Sequence, residues 1–159
     1  MNYFELFELP VTIKIDKALL SQKYFALQKK FHPDFFTQET EFEQAEALEL
    51  SSQVNKAFKI FKTEDETLKY LLQLKGILED EEKYQLPPDF LMEVMELNEN
   101  LSENSATGIK QFGDSLNSDV KDIIENYNDT TVTKEQLLQL KEYYFKKKYL
   151  QRILDRLAD

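Results

Sequence analysis

Apolar residues recur along this chain at helical spacing, punctuated by a few proline and glycine stops. Asn2, with Glu5 three positions on, forms a capping-box pattern that opens a short first helix, which Pro10 ends. Asp16 can cap a second helix, in which Leu20, Tyr24, Leu27 and Phe31 line one face. A loop from His32 to about Thr40 is expected next. Leu50, Val54, Ala57 and Phe61 mark a third helix, and Thr63 caps a short fourth that Gly76 ends.

Beyond Gly76 the run Glu79-Asp80-Glu81-Glu82-Lys83 leads to Pro87-Pro88, which reads as a polar linker followed by a helix start. One helix is predicted from about Pro88 to Glu103. A second carries Ile109, Phe112, Leu116, Val120, Ile123 and Tyr127. Thr133 with Gln136 makes another capping box, opening a long last helix with Leu140, Tyr143, Leu150, Leu154 and Leu157 on its seam and Lys147 interrupting it. The expected fold is all-α. Residues 1–76 should form a helical hairpin with short flanking helices, 77–87 a linker, and 88–159 a three-helix bundle.

Composition agrees with helices, since the chain holds only three Gly and four Pro. Its 42% hydrophobic and 31% charged residues are a globular mixture, and 159 residues suffice for one ordinary domain or two small ones. Cysteine is absent, which removes disulfides, thiolate zinc sites, a Cys nucleophile and cysteine ligation of an iron–sulfur cluster. No apolar run is long enough to span a membrane, and the acidic, aromatic start Met1-Asn2-Tyr3-Phe4-Glu5 has no basic leader. An intact, soluble cytoplasmic protein with no membrane role is expected.

The net charge of −10 is unevenly placed. Up to Gly76 ten lysines face twelve acids, and from Ile77 onward ten basic residues face eighteen. Neither half has the basic footprint of a nucleic-acid binder, so nucleic acid is not an expected partner.

One local region runs against that sign. From Lys14 to Lys30 the net charge is +4, and Gln22, Lys23, Lys29 and Lys30, with Ala26 between them, lie opposite the apolar stripe. The patch leads into His32-Pro33-Asp34. Pro33 fixes its own φ, lacks an N–H and biases His32 away from helix, so the second helix ends here and the chain's single histidine stands at an exposed bend. A solvated lysine face with a proline stop is the plain reading. Docking on an acidic partner surface is the functional one.

A helix with a basic face, then His32-Pro33-Asp34, then a helix containing Val54-Asn55-Lys56-Ala57-Phe58 resembles a J-domain over roughly residues 1–76. The resemblance implies docking on a DnaK-type chaperone and stimulation of its ATPase through His32, Pro33, Asp34, Lys23, Lys29 and Lys30. Many family members carry a basic residue directly after the tripeptide, where this chain has Phe35-Phe36.

In the second half, Phe90, Val94, Leu97 and Leu101 form one narrow helical stripe and suffice as a core face, while Leu91, Met92 and Met95 project away from it. Glu96 and Glu99 border them, and no Lys or Arg lies between Pro88 and Glu103. The face is either a wide apolar surface buried on two neighbours or an exposed patch with an acidic rim, suited to protein binding.

The phrase Phe90-Leu91-Met92-Glu93, with Glu96, Leu97 and Glu99, is similar to the C-terminal domain of the HscB co-chaperones. The opening Asn2-Tyr3-Phe4-Glu5-Leu6-Phe7 and the segment Tyr70-Leu71-Leu72 look like the same family. That resemblance implies a bundle that binds an iron–sulfur scaffold protein of the IscU type and delivers it to a DnaK/HscA-type ATPase. The implied scaffold contacts are Leu91, Met92, Met95, Glu96, Glu99 and, on the last helix, Tyr149. Thr67-Leu68 stands where the family often has Arg-Ala, and the N-terminal cysteine zinc module of some eukaryotic relatives is absent, so a bacterial-type member without metal or cofactor is implied.

Two alternatives stay open. The chain could be a J-domain protein with a different client, bound or dimerised through the Leu/Met surface. It could instead be a small hydrolase with His32 as general base oriented by Asp34, although no Ser or Lys is placed as a nucleophile and no second His could complete a metal site.

Overall fold

A computed structural model of the protein describes residues 1–99 and 105–158. Every regular element among them is helical: α1 (Tyr3–Leu6), α2 (Lys17–Phe31), a 3₁₀ turn (Pro33–Phe36), α3 (Glu41–Phe61), α4 (Glu64–Leu74), α5 (Pro88–Glu99), α6 (Ser105–Glu125) and α7 (Lys134–Ala158). The chain forms two compact units, Met1–Leu71 and Leu72–Asp159, with the division inside α4.

In the first unit the helix starts follow from local side-chain chemistry. Asn2 Oδ1 accepts from the Glu5 N–H at 2.8 Å, and the Asn2 amide donates to the Glu5 carboxylate at 2.9 Å. Asp16 accepts from the Ala18 and Leu19 N–H groups, Thr40 from Glu43 and Thr63 from Glu66. α1 closes at Leu6, ahead of Pro10, because Glu8 turns the chain at φ +52°.

The core joins Phe4 and Phe7 of the N-terminal segment to Leu20 of α2 and to Val54, Ala57 and Phe61 of α3. The α2–α3 hairpin is clamped by polar groups as well. Tyr24 Oη and Gln28 Nε2 both donate to Asn55 Oδ1, at 2.8 and 2.7 Å, and the Tyr24 ring stacks on Phe58 at 3.9 Å. Lys17 Nζ donates to the carbonyls of Phe61 and Lys62 at the C-terminus of α3, where the helix dipole favours a cation. Thr67 is buried without penalty, since its hydroxyl donates to the Thr63 carbonyl at 2.7 Å.

The second unit takes in the last turn of α4. Gly76, at φ +73°, takes the left-handed position: its N–H donates to the Gln73 carbonyl, and the Ile77 N–H donates to that of Leu72. α6 packs along α7 and α5 packs on α6. Phe90 and Val94 of α5, Ile109 of α6, and Leu150 and Ile153 of α7 form one buried cluster. Gly108 faces Leu97 of α5, close enough that a Cβ there would lie 3.4 Å from Leu97 Cδ2.

Several sequence expectations need correction here. Ile124 is buried where Ile123 is only half-buried, and Tyr127 lies past the end of α6. The polar run after α6 prefers a turn: Asn128 Oδ1 accepts from the Thr130 N–H, and Tyr127 Oη donates to Asp129, which pairs with Lys75 at 2.7 Å. Burial first, then the neighbouring Asp129, pushes the Tyr127 phenol upward. At the end of α7, Ile153 is buried and Leu157 is largely exposed. Leu101 and the end of the predicted Pro88–Glu103 helix lie outside the described residues.

Segment 77–87 is not a free polar tether. Leu78 is buried, and Tyr84 stacks on Phe145 of α7 at 4.6 Å. Lys141 Nζ donates to the Ile77 carbonyl at 2.9 Å and pairs with Glu82 at 2.7 Å. The Lys141 hydrogen bond, helped by the Glu79 N–H, holds the Glu82 carboxyl below its usual range. A carboxyl lowered on folding contributes stability above its unfolded pKa and loses it as pH falls through the folded value. Acid titration of stability should therefore be shallower in Glu82→Gln than in wild type, as read by denaturant unfolding from neutral pH downward.

Candidate functional site

Two surfaces hold the candidate residues, one in each unit. In the first, α2 must end at Phe31, because Pro33 cannot continue the helical hydrogen-bond ladder. His32 is extended, at φ −61° and ψ 131°, and its N–H still closes the helix by donating to the Gln28 carbonyl. Pro33 starts the 3₁₀ turn and Asp34 follows, so the expected open loop contains one ordered turn.

Within the bend, the Asp34 N–H donates to His32 Nδ1 at 3.2 Å. That bond needs an unprotonated Nδ1, which leaves the Nε2 edge of the ring for an outside group. The Asp34 carboxylate is 3.7 Å from Nδ1, too far for a hydrogen bond, and its side chain is exposed. Asp34 thus does not orient His32 as a general base, because Nδ1 accepts a hydrogen bond where such a dyad requires it to donate one.

The lysines divide. Lys29 and Lys30 are exposed, with Lys30 Nζ 5.2 Å from the Phe31 ring centroid. Lys23 is only half-exposed and lies 3.8 Å from Glu8, so it is less available than sequence spacing implies. Gln22 and Ala26 are exposed beside them. The sequence reading missed Phe25, which is 65% exposed and by helical phase lies next to Gln22 and Lys29. Its position off the Leu20/Tyr24/Leu27/Phe31 stripe is the signal that finds it. Phe35 is similarly open, with its ring 6.1 Å from that of His32.

On the second surface, Phe90 and Val94 are buried and Leu97 is half-buried, as the stripe predicts. Met92 and Met95 are 61% and 58% exposed. With Glu96 and Glu99, both exposed, they form an outward row at helical spacing. Leu91 differs from expectation, being half-buried and packed on the bundle core. Its helical phase falls between the row and the core stripe, and a leucine there can lean onto the bundle. Tyr149 is also half-buried, its ring meeting Phe90 edge-on at 5.9 Å.

No cluster of His, Asp and Glu among the described residues is arranged to hold a metal ion, and no described helix is long and apolar enough to cross a membrane.

Comparison with known proteins covers both units. The family model of the HSCB C-terminal oligomerisation domain matches residues 86–158. A co-chaperone HscB homolog of Haemophilus ducreyi is 36% identical, over 94% of this chain and 92% of the relative. One from Vibrio cholerae is 43% identical over 67% of this chain, a match that spans only 63% of the relative's length. Among solved structures, human HscB superimposes with a TM-score of 0.77 at 28% identity, covering 99% of this chain and 81% of that one. Chaperone HscB from Vibrio cholerae gives 0.63 at 30% identity, with 99% of both chains covered.

Proposed function

The chain belongs to the HscB co-chaperone family, and from that premise we propose that it is a cytoplasmic, non-enzymatic adaptor carrying an IscU-type iron–sulfur scaffold protein to a DnaK/HscA-type ATPase. Residues 1–76 act as the J-domain, touching the ATPase through His32, Pro33, Asp34 and the α2 lysines. The bundle within 88–159, with segment 77–87 strapped onto α7, holds the scaffold through Met92, Met95, Glu96 and Glu99, with Leu91 and Tyr149 at the margin.

One observation carries this reading: each unit closes its own core and still leaves a chemically distinct row outside it. Beside His32 the row is cationic; on α5 it is methionine with an acidic edge. Hydrolysis takes place in the partner, whose conformational equilibrium the adaptor shifts by binding one state more tightly than another. Adding the purified chain to a DnaK-type ATPase should raise its turnover, while the chain alone hydrolyses no ATP. Hydrolysis by the chain alone would refute the adaptor reading.

The α2 surface should act mainly on encounter with the ATPase. Lys29→Glu with Lys30→Glu reverses its field without touching the core, so association should slow by about tenfold at low salt and differ little from wild type at high salt. Stopped-flow association across a salt series measures this. Equal rates at low salt would remove the lysines from the interface.

A second reading has the family description "oligomerisation" in its favour: the Met92/Met95 row joins two copies of the chain. Sedimentation at increasing concentration separates the two, because a scaffold-binding face leaves the free chain monomeric.

A further inference from the structure

The acidic stretch after the His-Pro-Asp bend has no part in the adaptor reading. No Lys or Arg occurs between Lys30 and Lys56, while beyond Asp34 five acids do: Glu39, Glu41, Glu43, Glu46 and Glu49. The first unit is therefore electrically divided, with a basic α2 face and an acidic first half of α3.

A groove opens on that acidic half. Phe31, Phe36 and, from α3, Ala47 and Leu50 are its apolar lining. Its volume is about 370 Å³, within the range of sites that take a bound group. Glu39, Glu43 and Glu46 line the groove as well, and no ion pair between described residues uses any of them. A hydrogen bond donated to Glu43, with the negative charge there, holds the Glu39 carboxyl above its usual range. The two acids thus crowd each other, and an arriving cation would relieve that crowding. By helical phase Phe42, 77% exposed, and Glu49 flank the same face.

We propose that this groove is a second docking surface, for a lysine- or arginine-rich amphipathic segment of a protein partner. The segment would seat a bulky apolar side chain against Phe31, Phe36 and Leu50, and place its cations on Glu39, Glu43 and Glu46. Charge complementarity selects this occupant: the lining residues include three carboxylates and no Lys or Arg, so an acidic or purely apolar segment would leave them unpaired. The surface adjoins the cationic α2 face at Phe31, whose ring Lys30 Nζ approaches to 5.2 Å, while its carboxylates belong to the stretch from Glu39 to Glu46.

The test titrates the full ¹⁵N-labelled chain with a short amphipathic leucine–lysine peptide, using a leucine–glutamate peptide as control. Binding should perturb the backbone amides of residues 36–50, weaken with salt, and be absent for the control. Glu43→Lys with Glu46→Lys should weaken it by about tenfold or more. Both residues are exposed, and the Thr40 cap uses only the Glu43 backbone, so the variant should fold, which its amide spectrum verifies. Met92→Ala with Met95→Ala should leave this binding unchanged. No perturbation at residues 36–50, perturbation confined to α5, or equal affinity for the charge-reversed variant would each overturn the proposal.

Discussion

His32→Gln is expected to abolish stimulation of the ATPase partner while changing stability by no more than about 0.5 kcal/mol. The ring lies outside both cores, and its Nδ1 accepts the Asp34 N–H. A glutamine carbonyl can accept the same N–H, so the bend survives. What disappears is the Nε2 group, together with the shape of the ring beside Phe35. Scaffold binding should persist, because the Met92/Met95 row belongs to a different compact unit. Steady-state ATPase assays beside thermal melts decide the matter. A folded His32→Gln protein that stimulates as wild type does would remove the bend from the mechanism.

The second large effect concerns α5. Met92→Ala with Met95→Ala should weaken scaffold binding by about thirtyfold or more, at about 1–2 kcal/mol for each truncated side chain. Both side chains are mostly exposed in the free protein, so the melting temperature should barely move. Leu91→Ala should lower both binding and stability, since Leu91 also packs on the bundle core. Phe90→Ala is the contrast: it empties a site that is 3% exposed and should cost about 3–5 kcal/mol of folding stability. Calorimetric titration with the scaffold protein, run beside thermal unfolding, separates these effects. A methionine double variant that melts far below wild type would mean the row is core, and one that binds unchanged would move the scaffold elsewhere.

Much of this is legible in the sequence because it is local. Asn2, Asp16, Thr63 and Thr133 each open a helix, since a cap needs only its own next few N–H groups. The bend is equally local, as Pro33 alone ends α2. What the sequence conceals depends on distant partners. Segment 77–87 reads as a polar linker until Lys141, 64 residues from Ile77, supplies the donor that ties it to α7. Lys23 reads as free until Glu8 lies beside it. Leu91 shows the limit of helical phase, for a residue at the edge of a stripe goes wherever the neighbouring helix leaves room. The acidic groove goes unread for the same reason, because Phe36 and Leu50 line one groove only after the 3₁₀ turn has packed against α3.

The central claim is that one molecule must hold both partners. The direct measurement mixes His32→Gln with Met92→Ala/Met95→Ala in the presence of the ATPase and the scaffold protein. Wild type should give a synergistic rise in ATP turnover when the scaffold is added. In the mixture one variant holds only the scaffold and the other reaches only the ATPase, so the account predicts no synergy. Full synergy from the mixture would show that the two surfaces need not lie on one chain, and would contradict the adaptor mechanism.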